Sequence, residues 1–393
     1  MSAIREFFSG FAWPTTSHGT EIKEKSKVEL KSVLKVTVAA GALLALAQPV
    51  DAQAGGKVSA GNSKVDITLG GRVHRSLSYV DDGTHDQVFH GAGTSSNSEI
   101  WITGEGKLTE SVSMGAYIRW DIAKNQNGYS FGSTTGAAVS TTADDASKYE
   151  YIYFKSASMG TLSMGDIEPG ADGVMETNFG GLAGDEGAAA SATDITLSGG
   201  AFSGSEVTDF VGTIDPGADA NRVRYDSPSF SGFSVSGDLE QGGGGSIAIK
   251  YSGTIAGFEI AAGLGYEADG GGDDIQGGAI GVKHSSGLHL AFDYGKNNVE
   301  GTAADPEWWR LIGGYDAKLN SLGNTNFTLS YSEKDDATTL GNEGKTVQVA
   351  IAQSLDAVGG KVTLQYDNYS FSNAAGATLQ DVDVVVLETA FNF

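Results

Sequence analysis

Apolar and polar residues alternate with a period of two along most of this chain, and the pattern is most complete at its very end. From Val385 onward, Val385, Leu387, Thr389, Phe391 and Phe393 fall on one side, and Val386, Glu388, Ala390 and Asn392 on the other. That is the periodicity of a strand with two unlike faces. Chain ends fray and are commonly polar, so a terminal Phe with a second Phe two residues before it points to a use for the end itself. A soluble sheet accommodates the pattern, and so does a strand that ends in the aromatic girdle of a membrane barrel.

The same alternation recurs upstream. Val65, Ile67, Leu69, Val73, Leu77 and Tyr79 oppose Asp66, Thr68, Arg72, His74, Ser76 and Ser78, and Val112, Met114, Ala116, Ile118 and Trp120 oppose Ser113, Tyr117, Arg119 and Asp121. Comparable runs start at Phe258, Leu288, Phe327, Val347 and Val362. About sixteen segments result, an even number of the kind bacterial outer-membrane barrels have. No amphipathic helix of ordinary length interrupts them. The connections alternate in length as well. Tight links are expected at Leu108–Ser111, Ser156–Gly160, Ser227–Gly232, Ser252–Gly257, His284–Gly287, Leu319–Asn324 and Leu355–Gly360. Longer ones lie between them, at Asp81–Asn97, Ala123–Lys148, Ile167–Asn221, Lys296–Glu307, Glu333–Gly344 and Ser370–Asp381. Short turns at one rim and long loops at the other predict an all-β fold, a transmembrane antiparallel up-and-down β-barrel.

Composition narrows the classes. No stretch reaches the ~18 to 20 apolar residues of a spanning helix, so any crossing of a bilayer is made by strands. The absence of Cys excludes thiol catalysis and disulfides. The excess of 49 acidic over 25 basic residues argues against a nucleic-acid partner. Lys31–Lys35 is basic, Val36–Ala47 is small and apolar, and Ala52-Gln-Ala54 has cleavage-site character, so residues 1–54 read as an extended leader with a cleavable secretory signal. The barrel is then expected over 55–393, with a formal charge of −25 once six basic and five acidic leader residues are removed.

Gly70-Gly-Arg-Val-His-Arg-Ser-Leu-Ser-Tyr-Val-Asp-Asp-Gly83 resembles the first strand and loop of Gram-negative trimeric general porins. Gly160-Thr-Leu-Ser-Met-Gly165 resembles their fifth strand, Arg224-Tyr-Asp-Ser-Pro-Ser-Phe-Ser-Gly-Phe233 a mid-chain hairpin, and Phe391-Asn-Phe393 their assembly signal. The resemblance implies a homotrimer in outer-membrane lipid and lipopolysaccharide, conducting small hydrophilic solutes and ions. It also implies a third loop, Ile167–Asn221, folded into the pore. In that family a basic ladder on the wall faces acids of this loop. Matched by motif, the ladder positions here are Arg72, Glu99, Asp166 and Asp226, of which only the first is basic. Arg119, Arg222 and Arg224 are candidates to replace the missing charge. Asp121 on the wall and Asp172, Glu176, Asp185 and Glu186 on the loop complete the expected constriction. The acid excess predicts a cation-preferring pore.

Enzyme chemistry finds little support. His74, His85, His90, His284 and His289 show no metal-ligand spacing, and no Gly-x-Ser-x-Gly elbow accompanies them. No catalytic residue and no cofactor is expected. The acidic loop clusters around Asp81, Asp269 and Asp335 offer oxygens of the kind calcium takes, against the plainer reading of solvated charge. Tyr79, Tyr266, Tyr294, Tyr315, Tyr331 and Tyr366 suit interfacial belts, whereas Trp101, Tyr117 and Trp308 have inward parity. Those three leave a sugar-specific channel as the alternative to a general pore. An adhesin or hydrolase on the same barrel is the more distant one. Arg75 shares parity with Val73 and Leu77, which suggests a subunit interface there or a shifted register.

Overall fold

Strand alternation turns into closure through sixteen antiparallel strands. A computed structural model describes residues 58–59, 64–83, 86–92, 96–122, 129–130, 146–182, 195–197, 205–217, 220–375 and 381–393. The expected leader, His85, Asp185 and Glu186 lie outside them. The first strands are β1 (Val65–Asp81), β2 (Glu99–Lys107), β3 (Ser113–Asp121), β4 (Ala146–Ser156), β5 (Gly160–Ile167) and β6 (Ala220–Asp226). They are followed by β7 (Phe233–Glu240), β8 (Gly245–Ile255), β9 (Phe258–Ala268), β10 (Asp274–His284) and β11 (Leu288–Asn298). The last are β12 (Glu307–Ala317), β13 (Thr325–Asp335), β14 (Glu343–Leu355), β15 (Gly360–Ser372) and β16 (Val382–Asn392). Each pairs with the next, and β16 returns to pair with β1. Two further pieces of this 18-stranded sheet, Val58–Ser59 and Asp86–Ala92, pair only with β1. The second lies inside a connection expected to be loop, and it lets the 17-residue β1 change partner from β2 to its own fold-back.

The chain end closes the ring. Phe393 donates to the Gly71 carbonyl and Gly71 to the Phe393 carbonyl, both at 2.9 Å. A Cβ on Gly71 would overlap the Phe393 ring, so the glycine and the terminal aromatic fit each other. On the outside, Leu288, Leu290, Phe292 and Tyr294 of β11 are exposed, while His289, Ala291 and Asp293 point inward and are buried. Short links serve one rim, and two of them are closed by two-residue turns. At Ala256-Gly257 and Ser231-Gly232 both residues have positive φ (51° and 85°, 51° and 89°), the mirror-image turn that matches strand twist.

The apolar core lies inside the barrel, between its wall and the long β5–β6 connection. The outgoing leg of that connection, 168–182, sets Ala171, Val174 and Met175 against Ala248, Ala279 and Trp308. Its return leg carries the helix α1 (Val207–Val211), whose Val207, Phe210 and Val211 pack on Phe371, Val382 and Val384. Phe210 meets Phe371 edge-on at 5.6 Å, and burying such a ring stabilises by about 1.5–3 kcal/mol. Close approach is made available by glycine. A Cβ on Gly263 would lie 2.5 Å from the Val174 carbonyl oxygen. On Gly281, Gly295 and Gly344 it would overlap the carbonyls of Thr177, Ile214 and Phe210.

Candidate functional site

The root of the loop is fixed first. Asp238 of β7 accepts from Gly170 N at 2.7 Å and from the Ser246 hydroxyl, and Ser246 Oγ accepts from Ala171 N at 2.9 Å. Arg222 of β6 pairs with Asp238 at 2.8 Å and lies near Glu240 and Glu267 at 3.6 and 3.7 Å. Its side chain is fully buried. Further on, Lys250 donates to the Asp172 carbonyl, Asn326 to that of Phe179 at 3.2 Å, and Gly181 N to Thr328 Oγ1 at 3.0 Å. The loop therefore lies along the inner faces of the strands from β7 onward and leaves those of β1–β5 facing it.

That remaining wall is charged and aromatic. Arg72 pairs with Glu99, which also faces Arg119 at 2.8 Å, and Arg119 in turn lies 3.5 Å from Asp121. Asn97 holds the other Asp121 oxygen at 2.9 Å. Two guanidinium groups and two carboxylates thus compensate one another across β1, β2 and β3. Tyr149 of β4 stacks under Arg119, 4.7 Å from ring centre to guanidinium, and its hydroxyl donates to Glu168 at the start of the loop. Arg224 grips Asp226 at 2.8–3.1 Å and donates to the carbonyls of Glu168 and Pro169. On the loop itself, burial and the neighbouring Glu168, Glu176 and Asp215 push the Asp172 carboxyl up to about 8. Close carboxylates disfavour joint ionisation.

Several expected positions need correcting. Asp166 pairs in register with Glu150 and Asn221, both exposed on the outer parity, and it shares a face with the exposed Leu162 and Met164. It therefore stands outside the barrel rather than on the pore wall, because matching by motif ignored the strand's parity. Arg222 has the inward parity but lies sealed beneath the loop root, so it anchors rather than lines. Trp308 also points inward and is wholly covered, against Ile214 and Met175. Arg75 keeps its outer parity, opposite Thr389, with no shift of register. Arg72, Glu99, Arg119, Asp121, Arg224 and Asp226 lie on the inner face; Asp172 and Glu176 lie on the outgoing leg.

Sequence reasoning missed Tyr149, Tyr151 and Tyr153, although the repeat Tyr-Glu-Tyr-Ile-Tyr was there to see. It also missed Glu168, Asp215, Asp238 and Glu267, whose roles depend on contacts distant in sequence. Of the acidic clusters, Asp269 Oδ1 accepts three backbone N–H groups of its own turn at 2.6–3.2 Å. Glu333, Asp335 and Glu343 bring carboxylate oxygens together, with Lys345 bridging Glu333 and Glu343 at 3.1 and 3.5 Å.

A closed barrel of this size with an inward loop and a charged lumen defines a channel of the outer-membrane type. Residues 36–386 match the Gram-negative porin family, and the chain belongs to it. A search of curated sequences gives no match. Solved structures with the same fold include OmpT of Vibrio cholerae in its trimer form, at 12% identity and TM-score 0.54, covering 84% of this chain and 99% of that one. The outer membrane channel DcaP of Acinetobacter baumannii aligns at 15% identity and TM-score 0.56, covering 87% and 100%. An anion-selective porin from Comamonas acidovorans aligns at 13% and 0.53, covering 84% and 100%. The protein is an outer-membrane channel of a Gram-negative bacterium.

Proposed function

We propose that this channel passes small hydrophilic solutes and ions passively, prefers cations and works as a homotrimer. The carrying observation is the imbalance between the two sides of the lumen. Charges on the β1–β3 wall are matched in pairs, whereas Glu168, Asp172, Glu176 and Asp215 gather on the two legs of the loop. With Asp172 held neutral, three carboxylates act on a passing ion. A unit charge ~8 Å away in water contributes ~0.5 kcal/mol, so three give ~1.5 kcal/mol, roughly a tenfold bias before screening. Screening over ~8 Å at physiological salt removes part of this, and the narrow low-dielectric wall restores some.

The test is the zero-current potential across a potassium chloride gradient, for the wild type and for Glu168→Gln with Glu176→Gln and Asp215→Asn. Cation preference that falls in the triple variant supports the proposal; anion preference, or an unchanged potential, refutes it. The trimer is supported by the OmpT trimer form among proteins of this fold and by Arg75 on the outer parity; sedimentation in detergent measures it. Phe391 and Phe393 serve here as the assembly signal. Deleting Phe393 should lower outer-membrane levels and leave export to the periplasm intact.

A further inference from the structure

Along β4 the inner face reads Tyr149, Tyr151, Tyr153, Lys155, an aromatic at every second position until the cation near the turn. Four residues of strand span about 14 Å, so the three phenols form a rail running from the charged cluster toward the short-turn rim. Tyr117 of β3 joins them, its ring 5.3 Å from Tyr151, and Tyr151 is 6.3 Å from Tyr153, with planes tilted by 34° and 53°. The rail borders a cavity of about 500 Å³ that also touches Arg119, Arg224, Glu168 and Asp226. That is a small-molecule volume, in the range of roughly 300–1,000 Å³.

Its parts are fixed in advance. Tyr153 donates to Glu105 Oε2 at 2.7 Å, and its ring lies over Gly115, where a Cβ would overlap it. Tyr149 is buried between Arg119 and Lys148, so it orients Arg119, while Tyr117, Tyr151 and Tyr153 remain partly exposed. Arg119 is matched by Glu99 and Asp121 and Arg224 by Asp226, while Glu168 and Lys155 stand at opposite ends of the rail, beside Tyr149 and beyond Tyr153. Between those two ends, beside Tyr151, the charges are paired, so a net-charged solute finds little uncompensated charge there. Hydroxyl groups, which both donate and accept, find partners of both kinds at every ion pair. Flat apolar faces beside paired donors and acceptors fit a ring with C–H faces and a hydroxylated edge.

We propose that this rail is a saturable binding site for neutral oligosaccharides of two to three rings, stacked on Tyr117, Tyr151 and Tyr153. It rests on the channel reading above and names the solute class of the same lumen. The test uses purified channels in planar bilayers, with maltotriose, cellotriose and benzoate as probes of the potassium chloride current. Block by a trisaccharide that saturates with concentration is expected. In Tyr151→Ala the half-blocking concentration should rise about tenfold, the loss of one well-used aromatic contact. Tyr151→Phe, which keeps the ring, should block as the wild type does, and so should Tyr266→Ala on the outer face. Block that never saturates, block indifferent to Tyr151→Ala, or block by benzoate alone would overturn the site while leaving the channel standing. A wild type without potassium chloride current would overturn the channel reading itself.

Discussion

The inner faces of β9–β11 and of β1–β4 follow the same alternation of strands, yet different residues fill them. On β9–β11 the inward positions include Gly263, Gly265, Gly277, Gly281 and Gly295, and the loop occupies the space their side chains would take, with backbone at Gly263, Gly281 and Gly295 and with side chains at Gly265 and Gly277. On β1–β4 the inward positions carry Arg72, Glu99, Arg119, Tyr117, Tyr151 and Tyr153, several of which border the open cavity, and the start of the loop meets this wall where Glu168 accepts from Tyr149. Even a shared residue is used differently: Gly115 on the open wall accommodates a side chain, Tyr153, where Gly281 accommodates a carbonyl. The outer faces are alike because both carry the apolar band of a membrane-spanning barrel. The inner faces differ because one has to hold a loop and the other has to pass water.

The strongest break of this comparison removes the ion pair at the loop root. Arg222→Ala strands Asp238 in a buried site, and breaking such a pair costs about 3–5 kcal/mol. Arg72→Ala, on the open wall, should cost about 1 kcal/mol or less, since its side chain is partly exposed and Arg119 still faces Glu99. Urea unfolding of the two variants in vesicles measures the contrast, and equal losses would show that the two walls are not distinct. Next in size is Gly281→Val. Overpacking costs typically ~1–3 kcal/mol, and here the added atoms meet the Thr177 carbonyl. The outgoing leg should lift from the wall and change single-channel conductance. At Gly115 an added Cβ meets the Tyr153 ring and the Gly104 carbonyl of the neighbouring strand, neither of them part of the loop, so Gly115→Val should disturb the sugar block and leave the loop in place.

Much of the covered wall is legible in the sequence alone, and less of the open one. Period-two alternation and the segregation of short from long connections suffice for strand count, closure and rims, because each depends on local pattern and turn chemistry. Inward glycines on β9–β11 were legible too, since glycine within a strand marks close backbone approach. Their meaning needed the loop's path, which no local pattern carries. The error at Asp166 arose from sequence likeness set above parity: Leu162 and Met164 already fix which side is outer. The tyrosines of β4 were hidden for the converse reason, as Ile152 and Phe154 sit between them and make both faces look apolar.

A smaller effect tests the acids of the loop against the compensated wall. Asp172 is neutral below about 8 because burial and its neighbouring carboxylates disfavour the charge. A raised acid pKa means that, between the ordinary carboxylate range and about 8, the folded protein holds a proton that the unfolded chain has released. Stability from this group therefore falls as pH rises through that window and levels off above it. Cation preference moves the other way. One more negative charge at ~8 Å adds ~0.5 kcal/mol, about a twofold change in permeability ratio. Zero-current potentials at pH 6 and pH 9 should show it, and Asp172→Asn should flatten the profile. The step belongs to Asp172 and its neighbours together, as for any coupled carboxylates. A wild type with the same selectivity at both values would place the governing charges on the open wall instead.

The smallest expected effect separates strand pairing from loop docking on the covered side. Ala256 and Gly257 join β8 to β9 with positive φ at both positions. Gly257 adopts this freely, whereas a residue with a Cβ is strained there by roughly 1–2 kcal/mol. Asn tolerates the left-handed region better and is favoured before Gly in this turn. Ala256→Asn should then raise the unfolding free energy by about 0.5 kcal/mol, a fraction of that strain. The turn lies at the short-turn rim, and a side chain there touches neither leg of the loop, so conductance and selectivity should stay at wild-type values. If stability rises while conductance is unchanged, the register of β8 and β9 and the seating of the loop upon them are separate contributions. A change in conductance would mean that the turn governs where Gly263 meets Val174, and that the covered wall is set by its hairpins as much as by its glycines.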